Sequence, residues 1–207
     1  MNKNPTKLIL SIGVLALLGI FALYMSTTDS PIGEKVQQFK DLGGRFQLDS
    51  ANGRIDLQEY NGKVVVLYFG FLNCADVCPS SMGVMSGAFK KLPSDIYPQV
   101  QGFFISVDPT RDDLTSLNDF AQYFDHRIMG LTGTEKEIEI LSKQYGVYFD
   151  MVDLESSQLG YTVDHSSQFY IISRTGELVD VMNHNTTPIE LAARIKREID
   201  KQQKDPQ

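Results

Sequence analysis

The side chains in this sequence best placed for chemistry are two thiols and an imidazole. Cys74 and Cys78, the chain's two cysteines, lie in GFLNCADVCPSSM with three residues between them and Pro79 after the second. Such a pair can close a structural disulfide, exchange electrons with another disulfide, or hold a metal. Pro79 suits the first turn of a helix and places Cys78 at or beside its cap. There the helix dipole stabilises a thiolate, giving either a nucleophile or a metal ligand. The imidazole is His165, in the segment DHSSQFYII.

These residues need a scaffold, and the pattern of apolar runs and turn signals supplies one. Residues 45–48 and 54–57 flank the turn Ser50-Ala51-Asn52-Gly53 and read as a hairpin. Lys63 to Phe69 (KVVVLYF) is a near-continuous apolar run, as expected of a strand buried on both faces. Met82, Met85 and Phe89 then recur at helical spacing and read as core. Residues 102–107 form a second buried strand ending at Asp108-Pro109, and residues 114–124 an amphipathic helix. A short strand at 127–131 precedes a helix opened by the capping pair Thr134 and Glu137. Strands at 168–172 and 177–181 close a hairpin around Arg174-Thr175-Gly176, and Thr187 with Glu190 caps a last helix. The order predicts an α/β, thioredoxin-like fold with an N-terminal β-hairpin extension. Its active site lies where the first core strand turns into its helix, at Cys74 and Cys78.

In that fold, dithiol oxidoreductases carry a cis-proline just before the strand that faces the dithiol. That strand here is 168–172, preceded by Asp164-His165-Ser166-Ser167, and no proline occurs between Pro109 and Pro188. His165 therefore stands where a disulfide substrate would dock. Two sulfurs and one nitrogen suit Cu(I) or Zn. The absence of an obvious fourth ligand leaves the site open, which counts against structural zinc and suits an ion that is passed on. Asp164 is a candidate to orient the His165 ring or to cap a turn, and Asp76 is a loop residue or a tuner of the site. Asp108, Arg111 and Asp112 read as a strand-end turn with an internal ion pair, or as a partner surface. His126 and His184 read as solvated or structural. The bland alternative for the cysteines is a structural disulfide, which would sit oddly at a strand-helix junction.

The N-terminus predicts the address. Leu8 to Met25 carries no charge, with Lys3 and Lys7 before it and Asp29 the next charge after it. Roughly 18 apolar residues suffice for a spanning helix, and the leading lysines keep residues 1–7 in the cytoplasm. A cleaved signal peptide is the competing reading, though no clear small-x-small site follows. The expected organisation is a single-pass anchor at 8–25, a linker at 26–43, a domain at 44–200 and a polar tail at 201–207. The domain then faces an extracytoplasmic, oxidising space such as the bacterial periplasm. There a working dithiol needs a reductant or a metal. The formal net charge of −7 excludes a nucleic-acid partner.

The sequence resembles the Sco/SenC copper-binding proteins of respiratory oxidase assembly. Four stretches carry the likeness: GFLNCADVCPSSM, ISVDPTRD, GLTGTEKEIEILSKQYGVYF and YTVDHSSQFYIISRTGELV. The resemblance implies that Cys74, Cys78 and His165 bind one copper ion per chain, as Cu(I) or Cu(II). It implies a membrane-tethered domain that metallates a subunit of a haem-copper oxidase, commonly at the copper A site. Other periplasmic copper chaperones and a thiol reductant are the further partners implied. Some members look like thiol-disulfide reductases of the oxidase's copper-site cysteines, and some like redox or copper sensors. The chain departs from the family pattern around the first cysteine, where Asn73 and Ala75 replace a small hydroxyl residue and a proline.

Overall fold

The computed structural model describes residues 41–154 and 160–204. The chain enters through the hairpin β1 (Gln47–Ser50) and β2 (Gly53–Asp56), then a short 3-10 turn over Leu57–Tyr60. The core alternates strand and helix: β3 (Val64–Gly70), α1 (Val77–Lys90), β4 (Val100–Ser106), α2 (Leu114–Phe124), β5 (Ile128–Thr132) and α3 (Glu135–Tyr145). A second hairpin, β6 (Phe149–Asp153) and β7 (Tyr161–His165), precedes β8 (Gln168–Ile172), β9 (Leu178–Asn183) and α4 (Pro188–Lys204). Seven strands form one sheet in the order β2-β1-β5-β4-β3-β8-β9, while β6 and β7 pair only with each other. Strands β3, β4 and β5 run parallel, and β8 runs antiparallel to β3.

The continuous apolar run of β3 has a direct cause. Alternate side chains of a strand point to opposite faces, and both faces here are covered. Val64, Val66 and Tyr68 pack with Met82, Met85 and Phe89 of α1 and with Leu117 of α2 and Leu191 and Ile195 of α4. Val65, Leu67 and Phe69 pack on the other side with Ile138, Leu141 and Tyr145 of α3. Each such fully buried side chain is worth about 1.5–3 kcal/mol over its exposed state. Met82 and Met85 are fully buried, as the sequence predicts.

The capping pair Thr134–Glu137 closes both arms of a capping box, and α3 stops at Gly146 with a left-handed φ of 66°. Two boundaries differ from expectation. Contacts with the core reach back before residue 44: the Gly43 amide donates to the Gln144 carbonyl at 2.8 Å, and Leu42 packs on the core. The last helix runs past residue 200 to Lys204. The apolar stretch 8–25 and most of the predicted linker lie outside the described residues. No helix among the described residues is long and apolar enough to cross a membrane.

Candidate metal centre

Strand register brings the two halves of the site together. Tyr68 of β3 pairs with Phe169 of β8, so the residues entering β8 lie beside those leaving β3. The turn after β3 carries Cys74, α1 carries Cys78 in its first turn, and β7 ends on His165. The donor atoms of Cys74, Cys78 and His165 all lie within 4.8 Å of one another, a potential copper-binding site. It is the group of this kind found among the described residues. The sequence placed His165 in the segment just before β8; the structure places it at the end of β7, a strand that the apolar pattern did not reveal.

The two thiols are unequal. Cys74 is half-buried, Cys78 is fully buried, and both are free of a disulfide. The Cys78 amide, at the start of α1, donates to Cys74 Sγ at 3.3 Å. The hydrogen bond from the Cys78 thiol, helped by His165 and the helix-end amides, holds Cys74 down to about 4 against the opposing effect of burial. Cys78 is pushed up, by the same thiol-thiol hydrogen bond and by burial. At neutral pH the pair is thus one thiolate and one thiol, sharing a proton.

The imidazole is aimed. His165 Nδ1 lies 3.3 Å from the Ser166 carbonyl, an acceptor only, a contact that favours a proton on Nδ1. Nε2 sits 3.5 Å from Cys78 Sγ. Tyr68 and Phe71 hold the ring edge-on at centroid distances of 6.3 and 5.7 Å. Asp164, one residue away, is exposed and points to the opposite face of the hairpin, across from Asp150. Asp76 is exposed at the N-cap of α1 and makes no side-chain cap; its backbone, not its carboxylate, bonds the Cys74 sulfur. His126 lies elsewhere, 3.3 Å from the Tyr97 hydroxyl, and His184 is exposed.

Two positioning features were not legible in the sequence. Gly70 ends β3 on the same face as Tyr68, and a Cβ there would meet Phe104 at 2.7 Å and Cys78 Sγ at 2.8 Å. The glycine is required so that the sulfur can approach the strand. The second feature is the segment Ser106–Asp112, which grips both halves of the site. Asp112 Oδ2 accepts from the Leu72 amide at 2.9 Å, fixing the turn before Cys74, and from the Ser106 hydroxyl at 2.6 Å. Asp108 accepts from the Tyr161 hydroxyl at 2.8 Å and pairs with Arg111. Arg111 in turn donates to the Tyr161 carbonyl at 2.8 Å and stacks 3.6 Å from its ring. Tyr161 begins the strand that ends on His165. Asp108 and Asp112 are buried, so these carboxylates face inward rather than presenting a partner surface.

Asp112→Ala removes the acceptor of one buried donor, the Ser106 hydroxyl, and one part-buried donor, the Leu72 amide, a loss of roughly 1–3 kcal/mol for a buried group left unpaired. The variant is expected to melt several degrees lower and to hold metal more weakly than the parent, because the turn bearing Cys74 loses its tether. Thermal unfolding and chelator competition measure the two effects.

The family model described as SCO1/SenC matches residues 34–200. An SCO2-like protein of Rickettsia felis is 31% identical, covering 95% of this chain and 98% of the relative. The crystal structure of Arabidopsis thaliana ScoI with copper bound is similar at a TM-score of 0.71 and 32% identity, covering 77% of this chain and 99% of that one. BsSco, a member of the Sco family of cytochrome c oxidase assembly proteins in which a disulfide switch was identified, is 26% identical. It covers 79% of this chain and 98% of its own length, with a TM-score of 0.59. A match over most of the chain, on a fold that gathers two thiols and an imidazole at one strand end, establishes that the chain belongs to the SCO1/SenC family.

Proposed function

We propose that this chain is a membrane-anchored copper chaperone that supplies copper to a haem-copper respiratory oxidase, at its copper A site. The observation that carries the reading is the donor set: two sulfurs and one aimed imidazole nitrogen within 4.8 Å. Two sulfurs with one imidazole suit Cu(I) or Zn, and a site with three ligands counts against structural zinc. The copper-bound Arabidopsis relative and the oxidase-assembly family of BsSco support the same cargo and partner. Cys74, Cys78 and His165 hold one ion per chain. Cys74 is half exposed and flanked by exposed Asn73 and Ala75, so incoming donors enter from that side. Transfer is then ligand exchange: the partner's thiolates replace Cys74 and Cys78 with no change in copper valence.

Leu8 to Met25 anchors the chain in the inner membrane, with residues 1–7 in the cytoplasm, 26–43 as a tether and the domain in the periplasm. Full-length protein is expected to stay with membranes after salt washing. N-terminal sequencing that began near Ser26 would show a cleaved signal instead.

A second reading is favoured by one observation: a half-exposed thiolate, Cys74, stands next to a buried thiol, Cys78. That is the arrangement of an attacking and a resolving cysteine. In this reading the dithiol gives two electrons to a disulfide between the oxidase's copper-site cysteines, becomes a disulfide itself, and is restored by a thiol reductant. Mixing the copper-loaded chain with the metal-free copper A domain separates the two. Chaperone action moves copper to that domain. Opening of the target disulfide without copper movement would identify the reductase.

A further inference from the structure

Tyr68 has no exposed surface, and its hydroxyl has no hydrogen-bond partner. A buried hydroxyl without a partner costs free energy, so its position calls for an explanation. It sits on the face of β3 that also carries Gly70, where the Cys78 sulfur approaches the strand. Its ring stands edge-on to His165 at 6.3 Å. Phe104 and Phe169 pack around it at 6.4 and 5.4 Å and leave the ring little freedom to turn away. Tyr68 and Cys78 belong to the same buried cluster. Ser81 and Ser167 approach the Tyr68 hydroxyl without closing a bond.

The missing partner has a chemical reading. A thiol sulfur is a weak acceptor. Coordination of a metal requires Cys78 as a thiolate, which is a strong acceptor. We propose that Tyr68 is a positioning residue of the copper centre, whose hydroxyl donates a hydrogen bond to the Cys78 thiolate only when the ion is bound. The assignment rests on copper binding by Cys74, Cys78 and His165. A donor on the sulfur draws electron density from it and favours the lower copper valence, where the sulfur is more negative. Hydrogen bonding around a cysteine sulfur is a recognised control of copper potential. Tyr68 thus biases the centre toward Cu(I), the valence that two thiolates and an imidazole already favour.

The test compares full-length wild-type chain with Tyr68→Phe, which keeps the ring and removes the oxygen. Without metal, the variant is expected to be at least as stable as the parent, since an orphan hydroxyl has been removed. With copper, it still takes one ion, but its preference for Cu(I) over Cu(II) falls about tenfold, which is about 59 mV in a one-electron potential. The sulfur-to-Cu(II) charge-transfer band moves to lower energy. Ser81→Ala and Ser167→Ala leave band and potential unchanged. A metal-free Tyr68→Phe that melts well below the parent would overturn the proposal, because the hydroxyl would then already be bonded. So would an unchanged band and potential in a variant that binds copper. A wild-type chain that takes no copper at Cys74 and Cys78 sinks the underlying reading, whatever Tyr68→Phe shows.

Discussion

Cys74→Ser and Cys78→Ser are each expected to abolish tight copper binding. Removing an outer-shell partner alone typically lowers metal affinity 10- to 100-fold. Removing one of two soft donors from a three-ligand site is expected to exceed about 100-fold. Serine keeps the size of the side chain, so the fold is expected to survive; Cys78 is fully buried and its replacement is the more costly of the two. His165→Ala is expected to weaken binding less, because both thiolates remain. His126→Ala and His184→Ala are expected to change nothing, since neither side chain reaches the site. Competition with a Cu(I) chelator under reducing, oxygen-free conditions ranks the five variants. A His184 variant as damaged as His165→Ala would overturn the ligand set. Proton release gives an independent check. The metal-free pair holds one proton between a lowered Cys74 and a raised Cys78, and both must bind as thiolates. Copper uptake at pH 7 is expected to release about one proton per ion, readable by calorimetry in buffers of different ionisation enthalpy.

Oxidation of the dithiol is expected to release the copper. Closing the Cys74–Cys78 bond removes two electrons from the thiolates, which pass to the added oxidant, and converts both principal donors into neutral sulfurs. His165 alone then faces the ion, and a single imidazole does not hold Cu(I) against solvent thiols. Treating copper-loaded chain with a stoichiometric thiol oxidant and separating protein from free metal is expected to give near-complete loss; re-reduction restores binding. The same dithiol is expected to turn over generic disulfides such as insulin poorly. The segment before β8 carries His165 and Ser166 and no cis-proline of the kind with which thioredoxin-like oxidoreductases hold a substrate backbone, and bound copper occupies the nucleophile. Brisk, copper-insensitive insulin reduction would favour the oxidoreductase reading over the chaperone.

What the sequence made legible, and what it hid, follows the range of the interactions. The apolar run of β3, the Thr134–Glu137 capping box and the last helix are local patterns, and the structure has all three. Cys74 and Cys78 were legible because chemistry limits what a spaced cysteine pair at a strand-helix junction can do. His165 was legible by residue type and by the missing proline. Its support was not. The β6–β7 hairpin carries no short turn signal, and four of the five β6 residues are exposed, so no apolar alternation marks it. The grip of Asp112 on Leu72 and of Asp108 and Arg111 on Tyr161 joins segments 40 to 53 positions apart. In the sequence Asp108, Arg111 and Asp112 read as a strand-end turn with an internal ion pair or as a partner surface; the ion pair is present, but nothing local marks the ties to Leu72 and Tyr161. Gly70 looked like the end of a strand; only the tertiary structure shows that the Cys78 sulfur requires it.

X-ray absorption at the copper edge, on chain loaded with one Cu(I) under reducing conditions, reads the donor set without assuming it. Two sulfur neighbours and one imidazole nitrogen per copper are expected, with the nitrogen signal lost in His165→Ala and one sulfur lost in Cys74→Ser. Copper surrounded by nitrogen and oxygen alone, or a sulfur signal untouched by Cys74→Ser, would contradict a centre built from Cys74, Cys78 and His165.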